Sequence, residues 1–404
     1  MGDAGSRSRS ARRSGGFGPR NFQVEIPVRK RPASSPPSLG IRSPLFFVAV
    51  SICLVLGPAS ARAQGIDSYD AWFRSVTAKL ITSSRAPAMS VAVLASDRII
   101  YADAGGPIET PTRRGPSPST MYRVGSITKL FTASLAARLA ARGIVDLDAD
   151  VRRYVPEYPA KRGTVTLREL AGHLSGTRPY GPGEFINHTH FDSLAPTIRA
   201  IRDDTLLFEP GTRYFYSSYG YNLLGLALER AAHKPFLKLL RDEVIGPLHL
   251  KLTAPDQLGK DLPERATPFD FDSGGKPMPA MLDDLRDRWP SGGLLSSVTD
   301  LAKFGAAFLH PGFLSDSMIK VMTTVQHLRN GTATTVGLGW RIGTDSAGRT
   351  VWHHAGSSYG GRSLLVVWPA EKMVVAIASN AAIQLDLPAA FALADVARGA
   401  LKSK

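Results

Sequence analysis

The chain has 404 residues, room for two domains or one large domain with an inserted lobe, and its 43% hydrophobic and 21% charged content is that of an ordinary globular protein. Its single cysteine, Cys53, excludes an intramolecular disulfide and removes the donors for a cysteine-ligated metal cluster. The net charge of +15 is uneven: residues 1–63 hold ten Lys/Arg and two acids, and the +7 left to the remainder shows no basic and aromatic interleaving of the kind that binds nucleic acid.

Residues 2–43 are rich in Ser, Arg, Pro and Gly and are not expected to pack a core. The apolar run 45–57 (LFFVAVSICLVLG) is thirteen residues long, too short to span a bilayer comfortably and matched to a signal-peptide core. Ala61-Arg62-Ala63 before Gln64 fits an A-x-A cleavage site. The expectation is export, cleavage near Ala63, and a periplasmic or secreted chain with no stable membrane span and no cysteine. The basic leader is long for a signal peptide. A wrongly assigned start, for example at Val28, an organellar transit peptide and an uncleaved signal anchor are the alternatives. Cys53 lacks a convincing lipobox.

Residues 66–83 place apolar side chains at helical spacing and predict an amphipathic helix. Residues 87–94 and 98–104 flank Ala95-Ser96-Asp97 and predict a two-stranded hairpin. After a Pro/Thr/Arg loop comes 121–142, MYRVGSITKLFTASLAARLAAR, whose Ala- and Leu-rich, nearly uncharged tail predicts a buried helix. A helix beginning near Ser126 sets Ser126 and Lys129 about one turn apart on one face. A serine hydroxyl is a weak nucleophile until a base takes its proton. A lysine serves as that base only when burial or a nearby cation lowers its pKa. The motif recurs at Ser317-Met318-Ile319-Lys320, so Ser-x-x-Lys alone does not choose; the polar surroundings of Ser317 set that copy aside.

Residues 165–174, 191–202, 220–232 and 236–244 predict helices joined by Pro and Gly loops, a helical lobe over 146–289. A further helix is predicted at 298–309, strands at 350–353, 363–368 and 373–378, and a last helix at about 388–401. Strands near both ends with helices between predict one sheet built from both ends of the chain, an α/β part of 64–145 and 290–404 that carries the lobe.

Two further groups carry chemistry. Tyr216-Ser217-Ser218 precedes the helix that contains Tyr221, and a tyrosine beside a cationic lysine can have a lowered pKa and share the base role. His354-Ala355-Gly356 ends a predicted strand before Tyr359-Gly360-Gly361, where glycines admit a substrate backbone to a strand edge; His353 competes with His354.

The order Ser-x-x-Lys, Tyr-Ser-x, His-x-Gly resembles the serine β-lactamase and penicillin-binding protein family, particularly its class C-like branch of β-lactamases, D-alanyl-D-alanine carboxypeptidases, esterases and mitochondrial β-lactamase-like proteins. The resemblance runs over roughly 66–401 and includes VTLRELAGHLSGTR (165–178), FEPGTRYFYSSYGYNLLG (208–225), SGGLLSSVTDLAKF (291–304) and GLGW (337–340). It implies an α/β (α+β) fold of the β-lactamase/transpeptidase type, with an antiparallel sheet flanked by helices. It implies acylation of Ser126, proton transfers shared by Lys129 and Tyr216, and an oxyanion hole made by the N–H groups of Ser126 and Ser357. Ser218, His354 and Gly356 would line the substrate, and His173 would hold the loop around Ser175-Gly176. No metal or cofactor is implied; the partner is a small-molecule or peptide substrate.

Two positions depart from the family. The asparagine of Tyr-x-Asn is Ser218, too short to replace it directly. The lysine of Lys-Thr-Gly is His354, so the positive charge facing a substrate carboxylate is lost or becomes pH-dependent. Both changes weaken the β-lactamase reading. They order the activities as peptidase or carboxypeptidase first, esterase second and β-lactamase third. A non-catalytic penicillin- or peptide-binding sensor is the alternative of another class.

Overall fold

Burial splits the apolar residues of one sheet between two cores. In β1 (Met89–Ala95, MSVAVLA) every residue is buried. Successive side chains point to opposite faces of a strand: Ala92 and Leu94 join one core, Val91 and Val93 the other. The computed structural model describes residues 59–107, 115–185, 191–280 and 284–403. The basic leader, the apolar run and Cys53 lie outside them, while residues 61–404 form one unit from which 146–289 does not separate.

The main sheet has six strands in the order β2-β1-β11-β10-β9-β8, all paired antiparallel. Its strands are β1, β2 (Arg98–Gly105), β8 (Arg341–Thr344), β9 (Thr350–Ser358), β10 (Gly361–Trp368) and β11 (Met373–Ser379). It is drawn from both ends of the chain, as expected. The β1–β2 hairpin turns on Ser96 and Asp97, both at positive φ (48° and 64°), the geometry of a two-residue primed turn. One face packs on α1 (Ala59–Ser84) and α9 (Leu387–Lys402) through Phe73, Ala390 and Leu393. The other packs on α7 (Val298–Ala306), and α2 (Thr128–Ala141) and α5 (Ser218–Ala232) share the same core. Helix α2 is buried on nearly its whole circumference, as its Ala/Leu composition requires. A second sheet, β3-β7-β4, joins Tyr122–Arg123, Leu294–Ser296 and Thr253–Pro255. A two-stranded ribbon pairs β5 (Phe269–Phe271) with β6 (Pro277–Pro279).

Several expected elements differ in length. The helix predicted at 165–174 is the single turn α3 (Leu167–Ala171), opened by a Thr166/Glu169 capping box and closed at Gly172, with His173 beyond it at φ 61°. The helix predicted at 191–202 is a 3-10 turn, Ala195–Ile198, with Pro196 near its start, followed by α4 (Arg199–Arg202). Helix α6 (Phe236–Leu240) continues as a π turn over Arg241–Ile245. The strand predicted to stop at His353 runs on to Ser358. Its pairing with β10 carries it through His354, Gly356 and Ser357, and the chain turns instead at Tyr359-Gly360, where Gly360 has φ 62°. Helix α8 (Asp316–Thr323) carries the second Ser-x-x-Lys, with Ser317 and Lys320 both exposed. Among the described residues, no helix is long and apolar enough to cross a membrane.

Candidate active site

Strand β3 leads straight into the turn that carries Ser126. Val124 donates its N–H to Leu294 O (3.1 Å), and a 3-10 turn over Gly125–Ile127 then hands the chain to α2. Ser126 therefore sits in a 3-10 turn, half-buried, rather than in the α-helix itself. Gly125 has φ 49°, and a Cβ there would lie 2.5 to 2.7 Å from the backbone of Ser357, so only glycine brings the turn this close to β9.

Lys129, in the first turn of α2, is fully buried. Its Nζ lies 3.1 Å from Ser126 Oγ, 3.1 Å from Ser218 Oγ and 2.7 Å from the Ser291 carbonyl oxygen. All three partners are uncharged oxygens. Burial pushes the ammonium well below its usual pKa, and the Arg341 guanidinium pushes it the same way. A buried amine held neutral has a lone pair with which to take the proton of Ser126.

Tyr216 lies beside Ser126, whose side chain acts on its phenol, and its ring centroid is 4.8 Å from Lys129 Nζ. Its acidity runs against the sequence expectation. Burial raises the phenol pKa by more than Ser126 and Arg341 lower it, so Tyr216 is a neutral hydroxyl, not a ready base. His173 braces it. The His173 ring lies 4.3 Å from the Tyr216 ring, Nδ1 accepts the Ser217 N–H (3.2 Å), and its carbonyl accepts the Phe215 N–H (2.9 Å). His173 thus holds 215–217, not the loop around Ser175-Gly176. Ser217 caps α5 by accepting the Gly220 N–H, which sets Ser218 at the helix start against Lys129. Tyr180 reaches Ser218 and Ser291 from the far side.

His354 and Gly356 face the same side of the sheet as their partners Leu365 and Ser363, toward α2. His354 is buried, its Nδ1 lies 2.7 Å from Ala355 O, and its ring is 6.4 Å from that of Tyr216. Burial, Arg341 and Lys129 all hold its pKa well below the usual value, so His354 is neutral at physiological pH and not a titrating cation. His353 beside it is half-buried and pushed down to about 4 by burial and Arg341. A Cβ on Gly356 would meet Val124 O at 1.9 Å and Ser363 Oγ at 2.2 Å. Gly356 is thus a seat for the Ser126 turn, and Ser363 Oγ fastens it by donating to Val124 O (2.7 Å). Ser357 meets Gly125 through its backbone, while its exposed hydroxyl takes a hydrogen bond from Arg362.

The structure therefore gathers Ser126, Lys129, Tyr216, Ser218, His354, Gly356 and Ser357 around one turn. It adds three groups that sequence reasoning missed. Tyr180 and the Ser291 carbonyl hold Ser218 and Lys129, and a backbone carbonyl leaves no residue-type signal. Arg341 on β8 is the third. Its guanidinium carbon lies 5.6 Å from the Tyr216 ring centroid, and its charge acts on Tyr214, Lys129, His173, His353 and His354. It stands directly after the Gly337–Trp340 stretch, the one sequence clue to it.

A helix-flanked antiparallel sheet with a buried lysine one turn from a serine, at the mouth of a central helix, is the architecture of the β-lactamase and transpeptidase class. The chain belongs to the β-lactamase family, whose model matches residues 73–398. That family is made of serine hydrolases, β-lactamases, carboxypeptidases and amidohydrolases among them. The mitochondrial serine β-lactamase-like protein LACTB of Homo sapiens is 25% identical over 380 residues, covering 71% of this chain and 69% of that protein. Among solved structures, the octameric penicillin-binding protein homologue from Pyrococcus abyssi superposes with a TM-score of 0.70 at 25% identity, covering 81% of this chain and 77% of that one. A D-stereospecific amidohydrolase from Streptomyces sp. gives a TM-score of 0.67 at 25% identity, covering 80% and 97%.

Proposed function

We propose that the chain hydrolyses a peptide, amide or ester bond through an acyl-enzyme on Ser126. The observation that carries this reading is Lys129: fully buried, without a carboxylate partner among the described residues, and 3.1 Å from Ser126 Oγ. The neutral amine takes the Ser126 proton as Oγ attacks the substrate carbonyl. The Ser126–carbon bond forms, and the N–H groups of Ser126 and Ser357 receive the oxyanion. Tyr216, a neutral phenol beside Ser126, gives its proton to the departing nitrogen or oxygen and is reprotonated from Lys129 as the carbon–leaving-group bond breaks. Water then repeats the sequence in reverse and frees the acid.

Arg341 supplies the fixed positive charge that His354, being neutral, does not, and it favours a substrate with an anionic group beside the scissile bond. Ser218, occupied by Lys129, is not free to grip an acyl amide as an asparagine would. We therefore keep peptidase, carboxypeptidase or amidase activity ahead of esterase, and both ahead of β-lactamase. The amidohydrolase among the similar structures favours the same order. For location, a periplasmic or secreted chain is the reading from the apolar run and the Ala63 site, and the mitochondrial relative supports the organellar alternative.

The test is intact-mass spectrometry after incubation with a fluorophosphonate and, separately, with a penicillin, using Ser126→Ala as control. A fluorophosphonate adduct lost in Ser126→Ala is the expected result. A penicillin adduct as well would bring the carboxypeptidase and β-lactamase readings forward, its lifetime separating them. No adduct from either reagent would overturn the hydrolase in favour of a non-catalytic binding protein.

A further inference from the structure

Beneath the nucleophile turn lies a buried ion pair that the chemistry above does not use. Arg123, the last residue of β3, is 2% exposed in its side chain, and Asp256 is 1% exposed. Arg123 Nε donates to Asp256 Oδ2 at 2.7 Å, and its Nη1 donates to the Tyr359 carbonyl at 3.0 Å. Arg265 closes the group from outside, Nη2 to Asp256 Oδ1 at 2.8 Å. Asp256 itself is fixed to the second sheet, its N–H donating to Gly293 O at 2.9 Å.

The placement of the two donors matters. Arg123 stands three residues before Ser126, and Tyr359 two residues after Ser357. One guanidinium therefore links the two segments whose N–H groups would form the oxyanion hole. The segments are also in direct contact: a Cβ on Gly361 would lie 2.6 Å from Arg123 O. A buried ion pair is weak evidence for stability, because desolvation offsets its attraction. Its fork geometry is strong evidence for register, since arginine offers several donors at fixed angles and lysine only a point charge.

We infer that Arg123 is a positioning residue: held by Asp256, it sets the spacing between Ser126 and Ser357 across the oxyanion hole. This rests on the reading of Ser126 as the acylated residue. The inference makes a specific demand. A lysine at 123 offers one nitrogen in place of the two, Nε and Nη1, that hold Asp256 Oδ2 and the Tyr359 carbonyl, so it does not reproduce both contacts in their present geometry. It should leave the fold intact and disturb the rate alone. Losing alignment at an oxyanion donor is worth about 10²-fold in rate.

The experiment uses the full chain and an alkyl fluorophosphonate, with labelling followed by intact mass as a function of probe concentration, which separates the maximal labelling rate from the half-saturating concentration. The variants are Arg123→Lys, Asp256→Asn and Ser126→Ala, each checked by circular dichroism and thermal unfolding. Arg123→Lys is expected to fold, to label about 30- to 100-fold more slowly at saturation, and to keep its half-saturating concentration within about threefold of wild type. Asp256→Asn should show a smaller loss of the same kind. If folded Arg123→Lys labels at the wild-type rate, or loses only affinity, the positioning role is wrong while the Ser126 reading stands. If both Arg123→Lys and Asp256→Asn fail to fold, the group belongs to the scaffold and the inference is overturned. If wild type takes no label, or Ser126→Ala takes it equally, both readings fall together.

Discussion

The molecule contains the same four-residue motif twice, and the two copies live in opposite surroundings. On α2, Lys129 is fully buried beside three uncharged oxygens, and burial pushes its pKa well below the usual value. On α8, Ser317 and Lys320 are exposed, and the Ser317 hydroxyl lies 3.0 Å from that of Ser315, the helix cap. Both serines stand three residues before their lysine. The difference is solvent: burial disfavours the charged form of the Lys129 amine, whereas Lys320 lies open to water. Spacing defines the motif, but the environment supplies the base.

The largest effect should come from exchanging one serine at a time. Ser126→Ala is expected to abolish covalent labelling by a fluorophosphonate, and Ser317→Ala to leave the rate unchanged. Labelling that survives the first and disappears in the second would reverse the assignment. Next come the lysines. Lys129→Met should slow acylation by about 10²–10⁴-fold, the range for loss of a positioned base, while Lys320→Met stays at wild type. Equal losses in both would mean that general positive charge, not a buried base, drives the reaction.

Arg341 sharpens the contrast, because its charge acts on the lysine of the α2 copy. As a cation near Lys129 it lowers that pKa, so its removal raises it. For a base that must be neutral, Arg341→Met should therefore shift the acid limb of the rate profile to higher pH. It should also slow turnover of a substrate carrying a carboxylate by about ten- to a hundredfold, the worth of one charge-assisted bond, relative to its neutral amide. An unmoved acid limb in a folded variant would remove Arg341 from the site's electrostatics.

Much of this was legible from residue order. β1, β10 and β11 read as short continuous apolar runs and α2 as an uncharged Ala/Leu-rich stretch, each buried as such composition requires, and these elements frame the site with α5. Arg341 was not legible, because β8 is a four-residue edge strand, Arg341–Thr344, whose apolar content is one isoleucine. The extension of β9 through Ala355-Gly356 was hidden for a related reason. Gly356 has no strand preference of its own and is held there by pairing with Ser363 and by the carbonyl of Val124. The state of Tyr216 failed differently. Lys129 as its neighbour follows from the order of the motifs, but the burial that raises its pKa is a property of the packed fold.

The smallest effect is on stability, and it discriminates best. In the unfolded chain Lys129 titrates near the ordinary lysine value of about 10.4; in the folded chain its pKa is well below that. Between the two values the unfolded state binds more protons, so stability rises with pH across that window. Below the folded value both states are protonated and the native state bears the whole cost of a buried charge. Methionine carries no such cost, although it leaves the Ser291 carbonyl without its donor. Lys129→Met should thus melt higher than wild type near neutral pH, by roughly 2–4 °C if the net gain is about 1 kcal/mol, and the gap should close as pH approaches about 10. Lys320→Met should stay within about 0.5 kcal/mol of wild type throughout. Thermal unfolding at pH 6, 7.5 and 9 reads both curves. A gap for Lys129→Met that is the same at all three would mean that burial does not depress its pKa, and the neutral amine on which acylation of Ser126 depends would be lost with it.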